Sequence, residues 1–255
     1  MVKYRLFIFI AVLVGFSIVE FFFSYRKRSL TRISRWPHNF IILLISTLFL
    51  KVVLPTGLIY FVSLAQTKTL GLFNLININF FLEILISLIL LDLAIYWQHR
   101  IFHQVSIFWK IHRVHHSDVD LDATTALRFH PIEIILSMFY KILLVLILGL
   151  SLESILIFEI ILSSMAIFNH SNLYIPAKLE SVLRLFIVTP QMHIIHHSVE
   201  QFESDSNYGF NLSIWDKIFK SYSPKFLSDG LIGNKRFRSS QDNKILNLLK
   251  QPFSS

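Results

Sequence analysis

The chain has no cysteine among its 255 residues. That absence excludes disulfides, iron–sulfur clusters, cysteine-ligated zinc and thiolate-ligated haem, and leaves the compartment open. Glycine is scarce at seven residues, and these form no Gly-x-Gly-x-x-Gly loop, so a dinucleotide-binding fingerprint is missing. Charge is scarce as well, at 16% of residues, and acids are fewer than bases, giving a formal net charge of +8. A basic balance admits nucleic acid as a partner, but here the positives stand beside apolar segments. "RKRSLTRISR" (Arg26 to Arg35) holds five of them and no acid. Between membrane spans, such a stretch is an anchor facing anionic lipid, and we expect no nucleic-acid partner.

Apolar residues dominate instead: 54% of the chain is hydrophobic, with 25 phenylalanines. Mean hydropathy is +0.58. An apolar run from Phe7 to Phe23 approaches the length of a bilayer span, and the basic flank after it favours a retained span over a cleaved signal. Phe40 to Ala65 is broken by Lys51 and Pro55, and is expected as one kinked helix or a shallow re-entrant pair. Phe80 to Trp97 follows. Ile132 to Leu150 and Leu152 to Phe168 are joined by a short "SLES" turn, which predicts an antiparallel helical hairpin.

The expected fold class is therefore all-α: a multi-pass helical membrane protein of about four to five spans with a histidine-rich cytosolic cap. Placing the basic 26–35 loop in the cytoplasm, with 40–65 crossing once, brings every histidine cluster to that same face. The expected organisation is N-terminal spans over 1–79, a catalytic domain over 80–222 and a basic cytosolic tail over 223–255. The tail is expected as a short amphipathic helix on the membrane or as a frayed end.

Ten of the eleven histidines lie between His99 and His197. His99 and His103 are spaced i, i+4, so a helix carries both on one face. His112, His115 and His116, and again His193, His196 and His197, repeat His-x-x-His-His and are expected to converge on one helix face each. His38 stands alone and is taken as an ordinary histidine. Eight clustered imidazoles would repel one another if protonated and would each be costly to bury without a partner, and a metal resolves both problems. One tetrahedral zinc takes about four ligands, so the set argues for two metals. Imidazole suits iron, copper, nickel and zinc alike.

The order of these three boxes resembles that of the sterol desaturase and fatty acid hydroxylase superfamily. "LRFHPIE" (127–133), "FNHSN" (168–172) and "NYGFNLSIWDKIFKSY" (207–222) are similar to further segments of that family, so the resemblance covers about residues 80 to 222. It implies a non-haem di-iron oxidoreductase that uses O2 to hydroxylate, or desaturate, a lipid such as a sterol or fatty acyl chain. It implies His99, His103, His112, His115, His116, His193, His196 and His197 as metal ligands, with His170 as a ninth. Tyr174 stands where some relatives have a further histidine. His130, Glu133 and Asn169 are candidates for an additional ligand or for orienting imidazoles. For Glu133 the rival reading is an acid stabilised in a helix's first turn. Trp215 and Asp216 have a similar rival, an interfacial aromatic beside a surface carboxylate.

The lipid would enter from the bilayer, and a separate electron donor of cytochrome b5-like or ferredoxin-like type would be needed. Two other classes compete. A bis-histidine haem electron carrier needs only two or four histidines on facing spans. A non-catalytic metal-binding membrane protein or transporter would usually carry ionisable groups within its spans. Here Lys51, Glu83, Asp92, Lys141 and Glu159 are the ones that interrupt them.

Overall fold

The computed structural model of the chain describes residues 2–76 and 78–254. Among the described residues it is helical throughout, with no strand beyond three isolated β-bridges. Eight helices come first: α1 (Val2–Phe22), α2 (Arg32–Val53), α3 (Gly57–Thr67), α4 (Leu72–Leu75), α5 (Phe80–Gln104), α6 (Ser106–His116), α7 (Pro131–Leu148) and α8 (Leu152–His170). Short helices follow: α9 (Ala177–Leu183), α10 (Pro190–His196), α11 (Gln201–Ser204), α12 (Ile214–Ile218) and α13 (Ile245–Lys250). Among the described residues, five segments are long and apolar enough to cross a membrane: Tyr4–Phe22, Arg32–Leu75, Phe80–Gln104, Pro131–Leu148 and Leu152–His170. Their outer faces leave Phe7, Phe22, Leu44, Phe81, Leu143 and Ile147 exposed. Exposure of this kind is stable against lipid and not against water. The protein is an integral membrane protein.

Region 40–65 is a single broken pass. Pro55 ends α2, because the residue before a proline is pushed out of helical geometry, and Leu54 has ψ of 71°. Contacts with α7 show that α2 and α3 run on in the same direction. Ser46 Oγ donates to the Phe129 carbonyl near the start of α7, and Leu50 and Val53 face Ile135 and Met138. Beyond α3, Gly71 approaches Gly149 at the end of α7. The hairpin turn is also shorter than "SLES". Gly149 terminates α7 in the left-handed conformation (φ 71°) and Ser151 caps α8 by accepting from Ser154 N, so Leu152 to Ser154 already belong to the helix.

At one end of the bundle, buried charge pins the chain. Arg35 of α2 is fully buried and donates to Asp118 at 2.6 and 2.7 Å, to Asp122 at 2.7 Å and to the Asp120 carbonyl. Burial raises the Asp118 carboxyl, but Arg35 and Arg128 outweigh it and bring it down to about 2. Glu20 of α1 accepts from the backbone N–H groups of Ala123 and Asn172. The tail forms the short helix α13, but docked on the protein rather than frayed. Leu248 is fully buried with Ile42 and Val114, and Arg113 donates to the Gln251 carbonyl.

A candidate metal centre

The histidines are brought together where α5, α6, α8 and α10 meet at the capped end. His99 and His103 lie one turn apart near the end of α5. His112, His115 and His116 close α6, His170 ends α8, and His193, His196 and His197 line or cap α10. None of the nine is more than 7% exposed. They form two groups: His99, His103, His112, His116 and His196, and beside these His115, His170, His193 and His197. In each group one ligand atom per residue lies within 4.8 Å of all the others.

This grouping corrects the expectation that each His-x-x-His-His box points one way. The i, i+4 pair of a box serves one group and the i+3 residue serves the other. His112 and His116 belong to the first group and His115 to the second; His193 and His197 belong to the second and His196 to the first. Positions i+3 and i+4 differ by about 100° around a helix, so one short helix reaches both groups. The groups share a wall, with the His116 and His197 rings stacked at 4.3 Å.

The hydrogen bonds of the ring nitrogens show which nitrogens are left free to bind a metal. His99 Nδ1 donates to the Tyr208 carbonyl (2.8 Å), His112 Nδ1 to Glu133 Oε1 (2.7 Å), His170 Nδ1 to the Ala166 carbonyl (2.6 Å) and His196 Nδ1 to the Ser206 carbonyl (2.8 Å). These bonds leave Nε2 of all four with a free lone pair. Elsewhere, nitrogens meet at His103 Nε2···His116 Nε2 (3.1 Å), His115 Nε2···His170 Nε2 (2.9 Å) and His170 Nε2···His193 Nε2 (3.0 Å). Two nitrogens each about 2.1 Å from one cation and at right angles would be about 3.0 Å apart. Nε2 of His112, His196 and His197 is buried with no hydrogen-bond partner, as is Nδ1 of His103, His115, His116, His193 and His197. A thiolate-free, nitrogen-only donor set with orphaned lone pairs fits metal ions.

Burial, reinforced by the neighbouring imidazoles, holds His115, His116, His193 and His197 well below the usual histidine range. Burial brings His196 down to about 3, against the Ser206 carbonyl that favours its protonated form. Neutral imidazole is the form that binds metal.

The three remaining candidates separate. Glu133 reaches His112, as a group orienting an imidazole would, although it also lies in the first turn of α7. Asn169 Nδ2 donates to the Phe210 carbonyl, and no imidazole bonds to its side chain. His130 belongs to neither group. Its Nδ1 caps α7 by accepting from Ile132 N, and its Nε2 faces the Leu249 carbonyl at 3.3 Å. Tyr174 is 54% exposed.

Two carboxylates escaped the sequence reading as supports of the site. Asp216 is fully buried and accepts from Tyr208 N and Gly209 N at 2.8 Å, which fixes the carbonyl that holds His99. The surface-carboxylate reading of Asp216 is thereby excluded. A Cβ at Gly209 would stand 2.6 Å from Asp216 Oδ2, so this approach requires glycine. Asp92 of α5 accepts from Trp215 Nε1 (2.8 Å) and Leu212 N (3.1 Å), tying the same loop to the helix that carries His99.

Two cavities reach the histidines. One, of about 220 Å³ and largely apolar, lies between α5, α7 and α8 and is lined by His99, His112, Phe102, Phe129, Leu162 and Phe210 among others. The other opens on the cap beside His103 and Trp109, with Lys235 and Arg236 at its rim. The Trp109 ring lies 4.9 Å from that of His103 and 5.2 Å from that of His116.

Residues 84–221 match the family model described as fatty acid hydroxylase. Human (Homo sapiens) alkylglycerol monooxygenase is 33% identical over 136 residues, which is 51% of this chain and 28% of that protein. The ornithine lipid hydroxylase of Rhizobium tropici is 27% identical over 176 residues, 68% of this chain and 50% of that one. The fatty acid hydroxylase domain-containing protein 2 of Macaca fascicularis is 28% identical over 119 residues, covering 46% and 33%. The chain thus spans at most half the length of these relatives. No solved structure matches.

Proposed function

The chain belongs to the fatty acid hydroxylase family, and from that premise we propose that it is a di-iron lipid hydroxylase embedded in the membrane. The observation that carries this reading is the pair of adjoining buried imidazole groups, the first of which lines an apolar cavity through His99 and His112. The ligands would be His99, His103, His112, His116 and His196 on one iron and His115, His170, His193 and His197 on the other. Bound there, two irons would use O2, two external electrons and two protons to convert a C–H bond to C–OH and release one water. The relatives' names favour hydroxylation over desaturation.

The chain's own residues supply the rest. Glu133 and the carbonyls of Tyr208, Ala166 and Ser206 fix tautomer and ring orientation in four imidazoles. The apolar walls of α5, α7 and α8 exclude water and hold a lipid chain below His99 and His112. Trp109, between the second cavity and two of the ligand rings, offers electrons an entry from a separate donor docked on the cap. The basic 26–35 loop lies at the capped end, with Ser29 N and Leu30 N bound to Asp120, so we assign that end to the cytoplasm. Residues 1–79 would serve as supporting spans, 80–222 as the catalytic domain and 223–255 as the segment that closes the cap.

Non-catalytic metal binding does not account for a largely apolar cavity of about 220 Å³ that opens onto His99 and His112. Haem is disfavoured because rings as close as His116 and His197 leave no room for a macrocycle. The test is reconstitution with ferrous iron, a reducing system and a membrane lipid extract under 18O2. One 18O atom per product lipid is expected, and an iron-loaded, reduced protein that labels no lipid would overturn the reading.

A further inference from the structure

The apolar cavity contains polar rows that the metal chemistry does not use. On α7, Glu133, Ser137 and Lys141 recur every four residues and so share one helix face; on α8, Glu159 and Ser163 do the same. Both rows descend from the histidines to an ion pair in which Lys141 Nζ donates to Glu159 Oε1. Lys141 lies eight residues below Glu133, about 12 Å at 1.5 Å per residue. From α1, Arg5 contacts Glu159 Oε2 at 2.6 Å. Two cations therefore share one carboxylate: Lys141, which lines the cavity, and Arg5, which lies outside it and is half-exposed.

A pin between α7 and α8 would require only the neutral pair. Because Arg5 shares Glu159, the Lys141 ammonium in the cavity wall is only partly neutralised, and ionisable groups inside a membrane protein mark places where ligands or ions bind. Nearer the histidines, Gln98 Nε2 donates to Ser137 Oγ (2.5 Å), while its Oε1 is buried without a partner. A hydrocarbon or a sterol nucleus leaves the partly neutralised ammonium unanswered.

Resting on the hydroxylase reading above, we propose that Lys141, assisted by Arg5, anchors an anionic group of the lipid substrate, a carboxylate or a phosphate. The lipid chain then runs up the cavity toward His99 and His112, and the separation of about 12 Å along α7 selects the carbon that faces the metals. Lys141 is a specificity-determining residue, and Glu159 holds its ammonium in the cavity wall.

Binding to the detergent-solubilised full chain without metal tests this apart from turnover. Tritiated hexadecanoate is competed with unlabelled hexadecanoate, hexadecyl phosphate or hexadecanol, which share one chain and differ in the polar group. At least one of the two anions should compete about tenfold better than the alcohol, as a charge-assisted hydrogen bond implies, and the better one identifies the group. Lys141→Arg should keep that preference, Glu159→Gln should sharpen it, and Lys141→Met should erase it. Where Lys141→Met alone does not fold, the Lys141→Met, Glu159→Gln pair removes both charges together. Equal competition by all three probes in the wild type, or a folded Lys141→Met protein that still prefers an anion, would overturn the proposal. Failure of the hydroxylase reading shows itself differently, as anion-selective binding without product from any lipid.

Discussion

Glu133 and His130 stand three residues apart in one motif and have different surroundings. Glu133 accepts from His112, whereas His130 accepts from the first turn of α7 and faces the tail. Glu133→Gln should therefore weaken metal binding by roughly 10–100-fold, as loss of an imidazole's supporting carboxylate does, while the fold persists. His130→Ala should leave metal binding unchanged and lower stability by about 1 kcal/mol through the lost cap. A competitive chelator titration and a thermal melt on both variants separate the two roles. The nine clustered histidines were legible in the sequence because their spacing is local. Of the supports, only Glu133 was legible, from its place in the Arg-x-His-Pro-x-Glu segment. Asp92 acts on residues 119 and 120 positions away, and Asp216 pairs with a loop whose path is set by folding. Nor does spacing reveal that a box is shared, since periodicity gives a face and not what that face meets.

At the scale of elements, the spans were legible from apolar length, and the breaks follow from backbone chemistry. Pro55 parts α2 from α3, and Gly149 ends α7 in a conformation that disfavours a side chain. Gly149→Ala should lower stability by at least about 1–2 kcal/mol, because a Cβ there adds a clash 2.7 Å from the Leu70 carbonyl. Chemical denaturation in detergent would read the loss. Arg35 is the other critical connection, since α2 enters the cap through it. Arg35→Ala leaves Asp122 buried without its cation and Asp118 with only Arg128 at 3.9 Å, and should destabilise by about 3–5 kcal/mol. Arg35→Lys should rescue it only in part, because an ammonium cannot reproduce the forked contacts. No sequence pattern announced this cluster or the docking of α13, because both join segments more than eighty residues apart.

For the whole molecule, metal binding at these groups would be coupled to folding. The capped end buries nine imidazoles, many with an unpartnered nitrogen, and a cation that binds only the folded chain stabilises it in proportion to occupancy. Chelation should thus lower the melting temperature, and ferrous iron added back should restore it stepwise. The account's central claim is that one bundle end holds two separate metal sites built from shared boxes. Iron per chain, measured by mass spectrometry on wild type and on two paired variants, tests it most directly. His116→Ala with His196→Ala disables the first group, and His170→Ala with His193→Ala disables the second. The account predicts about two irons in the wild type and about one in each folded variant. A folded wild type with no more than one iron, or variants that both retain two, would contradict it.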